Sequence, residues 1–296
     1  ALIWGINFPV IKIGLEELPP LLFTAVRFAL AGIPAVFLVP MPHAPLTAVL
    51  MIGLLLGVFK FGLLFLAMES SISAGLASLL VQAQVLFTIF LSYVFLREPV
   101  RQRQLVGLLI CLIGFALFVI VAGANGTLIG IGLVLGSATA WALANTLTKQ
   151  LKQVNVVHLT VWMSLVAPIP LALLSWLTET TQPLQTLLQA GVDTWLAVLY
   201  TSYASTLVAV ALWAALLRRH TAATFTPFAL LIPVVGMASS ALWLGERLNV
   251  PEAIGAALIL LGLTVITLRM PQRASRALPV TTKAICRQPI SKEKIV

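Results

Sequence analysis

Residues 74–98, AGLASLLVQAQVLFTIFLSYVFLRE, are answered 148 positions later by residues 222–246, AATFTPFALLIPVVGMASSALWLGE. Both runs close on Leu-x-Glu, as Leu96 with Glu98 and Leu244 with Glu246. Each Glu is then followed by a glycine pair at the same spacing, Gly107 with Gly114 and Gly255 with Gly262. A unit used twice recasts the assignment of every segment around it. The echo reaches the start of the chain at a different offset. Trp4 stands 8 residues before Lys12 and Trp141 stands 8 before Lys149, with Asn7 and Asn145 between them.

The 296 residues are 60% apolar and only 9% charged, where a soluble domain carries about a quarter charged residues. The composition is that of an integral membrane protein. Ten apolar segments are read, at 1–14, 20–39, 46–68, 72–96, 103–121, 127–148, 156–177, 194–217, 221–244 and 249–269, separated by Pro, Gly and polar breaks. Their hydrophobic runs are continuous rather than alternating, which predicts helices and excludes a barrel. The fold class expected is therefore all-α, with ten transmembrane helices arranged as two five-helix repeats, 1–121 and 127–270, and a basic tail at 271–296. The first run lasts only to Leu15, short of the ~20 residues a span needs, so the first helix is read as truncated. Five helices per repeat is an odd number, which turns the second copy upside down relative to the first and places two related half-cavities face to face.

Loop charge sets the orientation. With the N-terminus inside, the cytoplasmic positions collect 14 of the 18 Lys and Arg residues, including Arg97, Arg101, Arg103, Lys149, Arg218 and Arg219. This places both chain ends in the cytoplasm. The net charge of +9 follows from that topology and needs no nucleic acid as a partner; the basic tail is read as an arm attracted to anionic membrane lipid. Cys111 and Cys286 lie in an apolar run and a polar tail, so no disulfide framework is indicated. His43, His158 and His220 fall at separate loop edges with no metal-binding motif, and no P-loop is present. Neither a metal, a cofactor, an enzyme site nor direct use of ATP is expected.

Ionisable groups inside a bilayer mark function by default, since each costs at least ~2.5 kcal/mol on insertion scales. Arg27 lies about 11 Å and Lys60 about 12 Å from the outer ends of their segments at ~1.5 Å per residue. Asn7 sits at a similar depth, so two cations and an amide are placed to receive a carboxylate. Their repeat counterparts are Met163 and Val208, both apolar, as a binding role but not a folding role allows. The alternative is that both side chains snorkel outward to Glu16, Glu17 or Glu69. Trp4 and Trp141 lie deep enough either to wall a cavity or simply to pack. Gln82 and Gln84 are about 200° apart on a regular helix, so one is assigned to substrate and the other to contacts between helices. Pro227 and Pro233 are hinge or gate candidates, with a static kink as the alternative. Glu98 and Glu246 are expected to cap the helices that follow them. The paired glycines are expected to let helices approach within one chain, with a homodimer seam as the alternative to a monomer.

Trp4-Gly5-x-Asn7, Pro19-Pro20, Arg27-Phe28, Ala74-Gly75-Leu76-Ala77-Ser78 with Gln82-Ala83-Gln84, Leu96-x-Glu98, Pro233-Val234-Val235-Gly236 and Glu246-Arg247-Leu248 together resemble the EamA family of the drug/metabolite transporter superfamily. The likeness covers the chain up to the tail. It implies a secondary carrier of the bacterial inner membrane that exports amino acids or related small metabolites, of the cysteine and O-acetylserine kind, by alternating access. Lys60 departs from the pattern, where a neutral amide is expected. Efflux of lipophilic cations is the rival transport reading, and it would want buried carboxylates; a membrane-embedded enzyme or scaffold is the rival from another class.

Overall fold

The computed structural model describes residues 1–70, 72–125, 128–151, 154–219 and 226–267, which form helices and no strands. In chain order the principal helices are α1 (Leu2–Gly14), α2 (Pro20–Val36), α3 (Leu46–Glu69), α4 (Ala74–Leu96), α5 (Gln102–Ile120), α6 (Leu128–Gln150), α7 (Val156–Thr178), α8 (Val192–Leu216), α9 (Phe228–Leu244) and α10 (Val250–Thr267). Seven of these are long and apolar enough to cross a bilayer, and α1, α2 and α9 are shorter apolar helices. The basic tail and His220 lie outside the described residues.

Local chemistry fixes the helix ends. Pro20 opens α2 at a position whose N–H has no helical acceptor in any case. Ser73 caps α4 by accepting from Leu76 N, and Asn155 caps α7 by accepting from Val157 N. The expected role of Glu98 and Glu246 is overturned here. Gln104 accepts from Arg101 N at 2.8 Å to start α5. At α10, Asn249 and Glu252 exchange backbone and side-chain bonds of 2.9 Å each, a capping box. With those N-termini already satisfied, the two glutamates are free to act elsewhere.

Several helices depart from α geometry, among them α7, which breaks between Ser164 and Pro168. α3 widens to π geometry over Leu54–Phe61, and α8 does the same over Tyr200–Val208. α4 breaks after Leu80, where Gln82, Gln84 and Val85 each donate to the carbonyl three residues back. The regular part of α9, Leu231–Leu244, follows a 3-10 turn at Thr226–Leu230. Pro233 therefore lies in the first turn of a regular helix, where a missing N–H is harmless. The irregularity precedes it, which corrects the expectation that Pro233 interrupts the helix; the Pro227 ring lies outside the described residues.

α5 and α10 form the closest helix pair. A Cβ on Gly107 would stand 2.7 Å from Gly262 O, and one on Gly114 would stand 2.8 Å from Gly255 O. The order of these contacts makes the two helices antiparallel, and the thiol of Cys111 donates to Ile259 O between them. The glycines thus serve packing within the chain. Elsewhere α1 packs on α8 and α9, α6 packs on α3 and α4, and α2 packs on α7. Exchanging the first five helices for the last five maps this set of pairings onto itself.

A methyl at Gly262 would meet Cys111 Sγ at 2.5 Å and Gly107 O at 2.6 Å. Backbone cannot move aside cheaply, so Gly262→Ala is expected to destabilise the protein by about 1–3 kcal/mol, the usual penalty of overpacking. A lowered melting temperature in detergent is the readout, and an unchanged melt would show that the pair is not this tight.

Candidate functional site

Both halves of the chain wall a central cavity of about 950 Å³. The first half contributes Trp4, Asn7, Arg27, Lys60, Phe61, Gln82 and Gln84; the second contributes Trp141, Thr160, Met163, Ser205, Thr206 and Trp213. The cavity runs out to Glu98, Arg101, Arg103, Gln104 and Thr267, and so reaches the end of the bundle where the basic connections lie. Glu17, Glu179 and Glu246, at the opposite end, contribute nothing to its wall.

Arg27 is buried, with 1% of its surface exposed. Its Nη2 donates to Thr206 Oγ1 at 3.0 Å, while Nε and Nη1 have no hydrogen-bond partner. The guanidinium carbon stands 4.1 Å from the centre of the Phe61 ring, and Lys60 Nζ stands 4.0 Å from the same ring and 3.7 Å from Trp141. Such ring faces attract a cation without neutralising it. Glu98 pairs with Lys149 at 2.5 Å, whereas buried Arg27 and half-buried Lys60 lie against Thr206, Phe61 and Trp141 rather than against Glu16, Glu17 or Glu69. The snorkelling alternative is not what the structure shows. Met163, the counterpart of Arg27, also lines the cavity, whereas Val208, the counterpart of Lys60, is 49% exposed on the outside of the bundle.

The π stretches bring these groups in. A widened turn shifts the hydrogen-bond ladder and leaves carbonyls that other helices can use. Ser137 Oγ donates to Lys60 O at 2.7 Å, and Trp4 Nε1 donates to Ser205 O at 3.0 Å. The Trp4 ring lies 5.5 Å from that of Trp213. Both deep tryptophans thus stand on the cavity wall. Gln82 and Gln84 both line it too, contrary to the regular-helix geometry, because the tight turns at the break in α4 change the angle between them. Gln84 Oε1 accepts from Asn145 at 3.0 Å, which places Asn145 as a support for Gln84. Asn7 Oδ1 is buried with no partner. Thr206 and Phe61 escape a reading of the sequence alone. The hydroxyl-rich Tyr200–Thr206 run inside an apolar segment is the available signal.

The EamA-like transporter family matches residues 1–120 and 128–268. The chain belongs to that family. It is a transporter and not an enzyme. The chain is 39% identical over 273 residues to a probable amino-acid metabolite efflux pump of Salmonella typhimurium, covering 90% of this chain and 91% of that one. It is 36% identical, with the same coverage, to a protein of the same description in Escherichia coli K12. It is also 28% identical to the uncharacterized inner membrane transporter YedA of E. coli K12, over 90% of this chain and 88% of that one. A solved crystal structure superposes with a TM-score of 0.58 at 21% identity, covering 90% of this chain and 98% of that one. At that identity the likeness is one of fold.

In this EamA-like transporter the end of the bundle away from the cavity mouth is held by three carboxylates. Glu179 accepts from Leu21 N and Leu22 N at 2.8 and 3.2 Å, and Glu246 accepts from Ala74 N and Gly75 N at 2.7 and 2.8 Å. Glu17 accepts from Gly191 N at 2.7 Å and from Thr194 Oγ1 at 2.6 Å. Each reaches from a connection in one half to the N-terminus of a helix in the other, where unsatisfied N–H groups and the helix dipole favour negative charge. Lys12 Nζ donates to Met68 O at the same end.

The Thr194 hydroxyl, and after it the Gly191 N–H, hold the Glu17 carboxyl below its ordinary value. A depressed folded value means that this clasp stabilises the protein above the usual carboxyl range and that its contribution is lost as pH falls through the folded value. Melting temperature in detergent is expected to drop as pH goes below about 4, with Glu17→Gln flattening part of that drop. An acid profile unchanged by the substitution would remove Glu17 from the latch.

Proposed function

We propose that this chain is a secondary carrier of the bacterial inner membrane that exports amino acids or related small metabolites, of the cysteine or O-acetylserine kind, by alternating access between two inverted five-helix halves. The observation that carries the reading is Arg27, buried with two unpartnered nitrogens, in a cavity that both halves wall. A substrate carboxylate supplies the missing acceptor. Gln82, Gln84 and Asn7 offer neutral polar contacts around it, Asn145 steadies Gln84, and Trp4 and Trp141 close the sides.

The self-exchanging set of helix pairings and the antiparallel α5–α10 contact support the inverted arrangement. The positive-inside rule puts the cavity mouth, with Arg101 and Arg103, on the cytoplasmic side, so the state described is the one that loads cargo from inside. The three carboxylate clasps then form the outer closure, and all of them join one half to the other. Outward opening requires their release. Relatives described as amino-acid metabolite efflux pumps support the cargo class and the direction. A carrier of lipophilic cations would place a carboxylate where this cavity places Arg27 and Lys60.

Arg27→Met tests the reading in proteoliposomes. Hydrogen bonds to a charged group are worth ~1.5–3 kcal/mol, and each ~1.4 kcal/mol is tenfold, so transport of a carboxylate substrate at low concentration is expected to fall roughly 10- to 100-fold. Gel filtration and helical circular dichroism check folding. Wild-type transport by the folded variant would take Arg27 out of the site.

A further inference from the structure

We infer that Lys60 carries the proton of the transport cycle, because the seat its ammonium occupies on Phe61 and Trp141 holds either that charge or the ammonium of a zwitterionic cargo, and not both. The inference rests on the exporter reading above and adds what drives it, one proton inward for each cargo molecule outward.

Both halves build the seat. Lys60 Nζ stands 4.0 Å from the centre of the Phe61 ring and 3.7 Å from that of Trp141, and such ring faces hold an ammonium. Ser137 Oγ donates to Lys60 O at 2.7 Å. Ser137 and Trp141 lie about one turn apart on α6, so the second half holds this lysine of the first at its backbone and at its head. Arg27 is the neighbouring charge, its guanidinium carbon 4.1 Å from the centre of the same Phe61 ring. Among the described residues the acidic group on the cavity wall is Glu98, at the mouth, and Lys149 engages it. The helices packed around Lys60 bring Arg27 on α2, Lys149 at the end of α6 and His158 near the start of α7, while Glu69 ends α3 itself. Of these four, Arg27 alone lines the cavity.

Only one of the two cations is suited to exchange. A guanidinium keeps its proton in a protein, whereas a lysine amine taken out of bulk water serves as acid and as base. The carboxylate of a zwitterionic cargo goes to Arg27, whose Nε and Nη1 lack partners. Its ammonium then arrives beside two positive charges and is repelled. Loss of the Lys60 proton removes the conflict. The Nζ–H bond breaks, the proton leaves through the mouth to cytoplasmic water, and the uncharged nitrogen keeps a lone pair that accepts from the cargo's ammonium on the ring faces it has given up. After the cargo departs outward, Nζ takes a proton from the outer water and its ammonium returns to the seat. The zwitterion carries no net charge, so each turnover moves one positive charge inward, and a membrane that is negative and alkaline inside drives export. Val208, the repeat counterpart of Lys60, is apolar and on the outside of the bundle, so the repeat supplies no second group of this kind.

O-acetylserine is the probe, at mildly acid pH where acyl migration is slow. Added to the purified full chain in weak buffer, it is expected to release close to one proton per molecule bound, read with a pH dye. Its apparent affinity is expected to rise with pH by up to about tenfold per unit, the limit of a one-for-one exchange. Lys60→Gln is expected to abolish the release and flatten that rise; the histidines are present in both proteins, so the difference belongs to position 60. In proteoliposomes an imposed pH gradient is expected to accumulate O-acetylserine on the acid side through the wild type. Folded Lys60→Gln is expected to lose at least nine-tenths of that accumulation and to keep a slower exchange of labelled for unlabelled cargo. No proton release by the wild type, or gradient-driven accumulation that persists in Lys60→Gln, would overturn the inference while leaving an exporter. Should Lys60→Gln fail to fold, the proton release of the wild type decides. Should the wild type fail to exchange O-acetylserine at all, the exporter reading falls and the inference falls with it.

Discussion

Nothing inside a bilayer replaces water as a hydrogen-bond partner, so every buried donor must be met by the protein or by what the protein carries. Arg27 is where that constraint presses hardest. One nitrogen is met by Thr206 of the other half, the guanidinium carbon lies over the Phe61 ring, and two nitrogens are left buried without a partner. The surrounding architecture follows from that group. The π stretch of α8 carries Thr206 and offers Ser205 O to Trp4, and the π stretch of α3 carries Lys60 and Phe61 and anchors on Ser137. The two widened turns bind the halves together at the depth of the cavity.

The two ends of the bundle solve a shared problem differently. Helix N-termini need acceptors, and at the closed end Glu246 supplies one to α4 from across the repeat boundary. Its counterpart Glu98 lies at the open end and pairs with Lys149. The counterparts of Ala74 and Gly75 are residues 222 and 223, which lie outside the described residues. One motif therefore has two partners available to it, a helix terminus or a lysine. A carrier that rocks between two states needs contacts of this kind, strong enough to hold one end shut and replaceable without leaving a buried charge stranded.

Much of this is legible in the chain. Continuous apolar runs mark the helices, and the echo of 74–98 in 222–246 points to matched halves. Depth alone singles out Arg27 and Lys60, because a charge that far from a segment end is too costly to keep without a use. What stays hidden is geometry that depends on partners. The π turns leave no periodic signature, so Thr206 and the Ser205 carbonyl do not stand out. The break in α4 defeats the rule that residues two apart face different ways, because that rule assumes an unbroken helix. In sequence, Glu246 belongs to the nearest helix N-terminus, but Asn249 and Glu252 already satisfy it, and the glutamate reaches a helix of the other half. Sequence distance predicts capping well only when the local acceptor has no competitor.

The asymmetry of the binding groups within matched halves has a physical logic of its own. Arg27 and Met163 occupy equivalent positions, and both line the cavity. A second guanidinium at 163 would add another desolvated charge, at ~2.5 kcal/mol or more, to a wall where Arg27 already has two unpartnered nitrogens. Methionine is apolar and pliable, and fills that wall without demanding a partner. The two halves supply matching walls, and the difference between them makes one side of the cavity charged and the other yielding. The difference between positions 27 and 163 thus gives a cavity walled by both halves two unlike poles, a guanidinium on one side and a thioether on the other.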